Sequence, residues 1–255
     1  LMPLTFHELK PFSLDNYLLY GGLPQVVTDD EPFEELDTYV NLYLREEIQA
    51  EALIRKIQAF STFLRFAALT SGTMINYAKL SSDTGIPAST IREYYQVLED
   101  TLIGFTLPAW TKTQKRKAAS TAKFYLFDIG VRNMIAGINA LPPASDSYGQ
   151  AFEHFIAMEL RAYLSYRRKK IALSYWRSLH QHEVDFILGD DIAIEVKTSN
   201  NITSKHLKGL KILAEEKICK KYFLIGFDKN HRMSGEIEII HWEDFLHKLW
   251  QGEII

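Results

Sequence analysis

Apolar positions at helical spacing dominate the first half of the chain. Phe33, Leu36, Tyr39 (or Val40), Tyr43 and Leu44 recur with a helical period, which makes the acids between them the outer face of one helix. The "GGLP" at residues 21–24 interrupts an earlier helical run and predicts a turn. From Ile57 three short helices follow. Phe60, Phe63, Leu64, Ala67 and Ala68 stripe the first. The second starts after Asn76, an N-cap residue, and runs through Tyr77 and Leu80 to a stop at Gly85. "IPAST" turns the chain, Ser89 is placed to cap the third helix, and Ile91, Tyr95, Leu98 and Leu102 share one of its faces. "IGFTLPAW" and "KFYLFDIG" read as the two strands of a hairpin around a basic loop. Helix, helix-turn-helix and hairpin together predict a winged-helix module.

"LPPASDSYG" at residues 141–149 is rich in Pro, Ser and Gly and predicts a domain boundary. Beyond it the pattern predicts a helix over about 149–166, a strand at 171–176 and two strands around Gly189. A helix over about 203–217, strands at 222–227 and 237–241, and a closing helix follow. The fold class is mixed α/β. It comprises a helical segment (1–55), a winged helix (56–140) and an α/β domain (145–255).

Composition adds limits. With 47% hydrophobic residues and 13% aromatics, 255 residues can bury real cores. One cysteine, Cys219, excludes an internal disulfide framework and a cysteine-based zinc site. No signal segment opens the chain and no apolar run is long enough to span a membrane, so a cytoplasmic setting is expected. The net charge of −3 hides a gradient. Acids crowd residues 29–51, including Glu46, Glu47 and Glu51. Lys112, Lys115, Arg116, Lys117 and Lys123 occur without an acid among them, and residues 167–170 form a second basic cluster.

The chemistry concentrates in "HEVDFILGDDIAIEVKTS", residues 182–199. A three-residue loop, Gly189, Asp190 and Asp191, pairs Leu188 with Ile192 and therefore Asp185 with Glu195. Alternation places Asp185, Ala193, Glu195 and Lys197 on one face. Val184, Phe186, Leu188, Ile192, Ile194 and Val196 go to the other, as core. Two facing carboxylates repel unless something positive lies between them. A divalent cation with oxygen ligands meets that need, and so does Lys197. On the preceding helix, Glu159 falls within the apolar stripe and Glu153 beside it; either could reach the pair. The spacing alone is weak, and both a metal site and an ion-paired sheet face satisfy it.

"FEHFIAMEL", "YWRSLHQHEVDFIL" and "IAIEVKTS" resemble the PD-(D/E)XK, restriction-endonuclease-like nuclease superfamily. That resemblance implies an α-β-β-β-α-β domain. Together with "YLLYGGLPQVV", "LEDTLIGFTLPAW" and "KFYLFDIG", the chain resembles the C-terminal half of a prokaryotic family of predicted AAA-type ATPases. In that family a nucleotide-binding domain precedes the winged helix. This sequence holds no G-x-x-x-x-G-K-[ST], so ATP would bind only in the full-length protein, and residues 1–14 look like the trailing edge of the preceding domain. The resemblance implies that Glu153 is the helix acid, rather than Glu159, that Asp185 and Glu195 are the strand acids, and that Lys197 is the motif lysine. It implies Mg²⁺ or Mn²⁺ on Asp185, Glu195 and Glu153, with Lys197 orienting a water or the phosphate.

Two function classes follow. One is a metal-dependent nuclease gripping DNA through its winged helix. Ser89, Thr90, Arg92 and Gln96 would read it, and Lys112, Lys115, Arg116 and Lys117 would clamp phosphate. Glu93, Glu99 and Asp100 on or beside the same arc weigh against that contact. The other is a non-catalytic arm binding DNA or protein and reporting to its own ATPase domain, with oligomeric state left open. The histidines, His180 and His182 included, fit no metal spacing and read as surface or core residues. No nucleophile elbow is present.

Overall fold

Polar caps or proline open several of the helices in the computed structural model, which describes residues 2–44 and 57–255. These divide into two units. The first comprises Leu1–Leu4, Pro11–Thr106 and Ala122–Leu141; the second comprises Thr5–Lys10, Leu107–Thr121 and Pro142–Ile255. No helix among the described residues is long and apolar enough to cross a membrane.

In the first unit, α1 (Leu14–Tyr20) begins at Ser13. Proline opens both α2 (Pro24–Thr28) and α3 (Pro32–Thr38), where its missing N–H has no intrahelical partner to lose. α3 passes into a π-helical turn, Tyr39–Leu44. The expected stripe is partly realised: Leu36 and Val40 are buried, but Phe33 is 40% exposed. Glu46, Glu47, Glu51 and the side chains of Tyr43 and Leu44 lie outside the described residues. α4 (Ile57–Leu69) buries the five residues its period predicts. α5 (Tyr77–Thr84) starts with Asn76 accepting from Lys79 N–H at 2.9 Å and ends at Gly85. α6 (Ala88–Asp100) corrects two expectations. Pro87 precedes it and Ser89 lies within it, so no side chain caps it; Leu102 lies past its end, left-handed at φ 61° and exposed. β1 (Gly104–Leu107) and β2 (Lys123–Leu126) pair as a two-stranded sheet. Asp128 then caps α7 (Ile129–Ala136), accepting from Val131 N–H at 2.9 Å and from Gly22 N–H at 2.8 Å. One buried carboxylate thus ties the "GGLP" turn to a helix start.

The second unit is a six-stranded mixed sheet with helices. α8 (Asp146–Tyr166) starts at Ser145, earlier than its apolar stripe suggests. β3 (Leu173–Arg177), β4 (Glu183–Leu188) and β5 (Ile192–Val196) run antiparallel. α9 (Lys208–Ala214) crosses over to β6 (Lys221–Gly226), parallel to β5; β7 (Arg232–Ser234), β8 (Ile237–His241) and α10 (Trp242–Gln251) complete the unit. The strand order is β3-β4-β5-β6-β8-β7. Residues 108–119 run alongside β3: Trp110 N–H donates to Tyr175 O at 2.6 Å, Tyr175 N–H to Pro108 O at 3.0 Å, and Ala119 N–H to Arg177 O at 2.8 Å.

Leu188 pairs with Ile192 across a loop whose Gly189 has φ 59°, a conformation that favours glycine. The faces depart from strict alternation. Leu210 and Leu213 of α9 share a core with Ile187, Ala193 and Leu224, so the face carrying Glu195 is covered, not open. Val184 joins that same core instead of the opposite face. The register shifts between the pairs Ser174–Ile187 and Trp176–Val184: β4 carries two residues there, Asp185 and Phe186, against Tyr175 alone on β3. Such a bulge turns the residues beyond it onto the other face, so Val184 changes side and Asp185 lies within the bulge.

Candidate functional site

Backbone pairing of β4 with β5 runs from Leu188 opposite Ile192 to Phe186 opposite Ile194, and Asp185 and Glu195 are the next residues on the two strands. Both carboxylates are buried, at 7% and 6% exposure. Asp185 Oδ2 accepts Val196 N–H at 2.8 Å, so the acid takes a ladder donor of β5 that backbone pairing leaves over. Lys197 Nζ lies 2.5 Å from Glu195 Oε1 and donates to Val196 O at 3.1 Å. The other oxygen, Glu195 Oε2, is enclosed without a hydrogen-bond partner. α9 closes over it. A methyl group added at Gly209 would stand 3.7 Å from Glu195 Oε2 and 2.1 Å from Glu183 O, so only glycine lets the helix approach this near.

Burial pushes the Glu195 carboxyl well above the usual range; the Asp185 charge pushes the same way, and Lys197 opposes both. Burial disfavours the Lys197 charge as well. The fields of Asp185 and then Glu195 outweigh it and hold that ammonium above an ordinary lysine. Lys197 is therefore a fixed cation at neutral pH, not a proton acceptor.

The two helix acids separate cleanly. Glu159, 1% exposed, accepts Phe6 N–H and Trp250 Nε1–H, each at 2.8 Å. Glu153 is half-buried, and its charge is felt at both Glu195 and Lys197. Among the described residues, no three His, Cys, Asp or Glu side chains converge closely enough to hold a metal ion by themselves. The structure thus brings Asp185, Glu195 and Lys197 together, with Glu153 within electrostatic reach.

The basic segment is engaged elsewhere than the sequence suggests. Lys112 Nζ lies 2.6 Å from Asp190, Lys115 Nζ donates to Glu215 O at 2.5 Å, and Arg116 pairs with Glu215 and Glu216. Glu216 also accepts the N–H groups of Gln114 and Lys115 at 2.9 Å. Lys117 is exposed. On α6, Ser89, Arg92 and Gln96 are exposed and Thr90 is half-buried; Arg92 lies 4.8 Å above the Tyr77 ring and Gln96 donates to Asp100 at 2.8 Å. Sequence reasoning missed Gly209 and Glu216. A glycine inside a predicted helix was the available signal for the first; nothing local marks the second.

Residues 148–245 match the family model described as Domain of unknown function (DUF4143). A protein of Haemophilus influenzae described as "Uncharacterized protein" is 24% identical over 239 residues, covering 90% of this chain and 56% of its own length. The chain spans about half the length of that relative. No solved structure matches. A second family model covers residues 12–141, half of the chain, and by that match the protein belongs to the family described as Domain of unknown function (DUF8612).

Proposed function

We propose that the second unit is a divalent-metal-dependent phosphodiesterase acting on nucleic acid. Asp185 and Glu195 are its metal ligands, Glu153 its third acid and Lys197 its fixed cation. The observation that carries this reading is Glu195 Oε2, a buried carboxylate oxygen beside a second buried carboxylate and without a hydrogen-bond partner. An unmet acceptor in such surroundings costs about 1–3 kcal/mol, more when charged. A hard cation satisfies it, and carboxylates from two facing strands suit Mg²⁺ or Mn²⁺, which keep waters and take phosphate oxygen as a ligand. Bound there, such an ion would lower the pKa of a water and steady charge on the phosphate.

The chain's own residues do the positioning. Val196 N–H fixes Asp185, and Glu195 Oε1 with Val196 O fixes the Lys197 ammonium. An ammonium has three donors, and Lys197 spends two of them on these partners. The third would orient the attacking water or a phosphate oxygen. DNA contact through Ser89, Thr90, Arg92 and Gln96 belongs to the same reading, as do ATP and an ATPase domain in the full-length protein. Phosphate clamping would first break the ion pairs of Lys112 with Asp190 and of Arg116 with Glu215 and Glu216, and the bond from Lys115 to the Glu215 carbonyl. The Lys112–Asp190 pair is exposed and worth only about 0–1 kcal/mol, whereas Glu216 is buried, so freeing Arg116 from it would cost more.

One observation favours a second reading, the non-catalytic arm: Lys197 answers the Glu195 charge at 2.5 Å. Melting decides between them. Under the metal reading, Mn²⁺ at a hundred times its dissociation constant raises wild-type stability by about 2.7 kcal/mol. Asp185→Asn gains almost nothing from the ion, and without metal it is as stable as wild type because a like charge has gone. Cleavage of DNA or RNA with Mg²⁺ or Mn²⁺ should accompany the metal shift. A wild type indifferent to the ion, beside a destabilised Asp185→Asn, decides for the ion-paired sheet.

A further inference from the structure

Residues 198–207 lead from Lys197 to α9, and their course is pinned at Ile202. Ile202 N–H donates to Asp228 Oδ2 at 3.1 Å, and its carbonyl accepts from Arg232 Nη2 at 3.0 Å. Asp228, 3% exposed, pairs with the same arginine at 2.8 Å. The segment ends in a tight turn in which His206 N–H donates to Thr203 O at 3.0 Å and Thr203 N–H donates back to Nδ1 of the His206 ring at 3.1 Å.

That second bond fixes the ring's chemistry. With Nδ1 accepting, the neutral imidazole carries its proton on Nε2 and presents a donor there. Partial burial, then the charges of Lys197 and Lys205, lower the ring's pKa, so the neutral form prevails at pH 7. Position follows from the turn. His206 precedes Gly209, the residue lying against Glu195 Oε2, by one turn of the chain, and residues so spaced share a face. The half-buried His206, on whose ring Lys197 acts electrostatically, thus sits on the turn that leads into the face Gly209 presents to Glu195. Its placement is held by backbone bonds on both sides.

We infer that His206 is a substrate-binding residue, donating its Nε2–H to a non-bridging oxygen of a nucleic-acid phosphate at this site; this role rests on the phosphodiesterase reading above. A neutral donor adds a directed hydrogen bond without adding charge. It strengthens binding but leaves the salt dependence, which counts neutralised phosphates, where it was.

The test is binding of a short single-stranded DNA oligonucleotide with Ca²⁺ replacing Mg²⁺, so that complexes are not consumed. His206→Ala should weaken binding about tenfold, the worth of one hydrogen bond to a charged acceptor, at an unchanged salt slope. His206→Gln, whose amide N–H reaches a similar point, should recover most of the loss. His206→Asn, whose shorter amide can accept from Thr203 N–H but cannot reach the Nε2 position, should bind as weakly as Ala, and recovery by Asn would mark a merely structural role. Nitrogen-15 spectra of the ring should show the proton on Nε2, with that nitrogen's signal moving as the oligonucleotide is added. An Ala variant binding as wild type does, a Gln variant no better than Ala, or a proton on Nδ1 overturns the assignment. Cleavage separates the two readings. If wild type binds but cuts nothing with Mg²⁺ or Mn²⁺ while His206→Ala weakens binding, catalysis falls and the phosphate contact stands. If wild type cuts and His206→Ala binds and cuts equally well, only the histidine falls.

Discussion

Glu159 is an acid whose two oxygens both receive hydrogen bonds, yet burial pushes its pKa up to about 7. The charge of Glu8 acts in the same direction, and the Phe6 and Trp250 donors oppose it. A carboxyl with a folded pKa above its ordinary 4.5 binds a proton more tightly in the native state than in the unfolded chain. Its contribution is therefore present below about pH 4.5 and is lost as pH rises through about 7, a swing on the order of 3 kcal/mol. Wild type should melt at a lower temperature at pH 8 than at pH 5, and Glu159→Gln should remove much of that difference while leaving other titrations in place. Equal pH dependence in the two proteins would show that Glu159 stays ionised throughout. At this scale the sequence was informative where chemistry is local. The three-residue loop specified the pairing of Leu188 with Ile192, which brings the two acids to the same end of the hairpin. Glu159 was ambiguous beside Glu153 because its partner Phe6 stands 153 positions away in the chain, a distance that no helical wheel reads.

Between elements, the decisive contact is the one α9 makes with the start of β4. Gly209→Ala drives a methyl into the Glu183 carbonyl, a backbone atom that cannot swing aside. Helix or strand must shift, at roughly 1–3 kcal/mol. Since the same methyl stands near Glu195 Oε2, the variant should also bind Mn²⁺ more weakly, which a titration monitored by melting would register. A variant with wild-type stability would mean that α9 does not seat as described. Periodicity forecast the order of these elements well, because an apolar stripe is a property of the element itself. It failed where a neighbour overrides the pattern. Val184 changes face through the β3–β4 register shift, and Ala193 and Glu195 are roofed by a helix that the strand's own alternation cannot announce. Ser89 misled for a related reason: Pro87 already fixes the entry to α6, so no capping hydroxyl is needed.

Across the whole molecule, chain order and spatial grouping diverge. The Pro- and Ser-rich stretch at 141–149 marks one passage between units, but Thr5–Lys10 and Leu107–Thr121 also belong to the second unit while their flanks belong to the first. Composition does not mark those passages, since each rests on partners far along the chain. Trp110 shows how strong such a remote anchor can be. It is 4% exposed, its indole N–H donates to Asp190 at 2.9 Å, and it shares a core with Trp176 and Leu213. Trp110→Ala should cost about 3–5 kcal/mol and, by loosening residues 108–119, should make the protein associate as its concentration rises, measurable by light scattering. A destabilised variant that stays dispersed would limit the tryptophan's role to packing.

That expectation draws on the run of residues 108–119 beside β3. An outermost strand ordinarily leaves a row of N–H and C=O groups that another molecule's strand can match, and sheets left so grow by accretion into fibrils. Here the row is partly spoken for by the protein's own chain, and the opposite margin of the sheet is β7, only three residues long. A basic loop that looks like a ligand contact from its composition therefore also serves as a selvedge, covering part of the margin at which a neighbour's strand could continue the sheet.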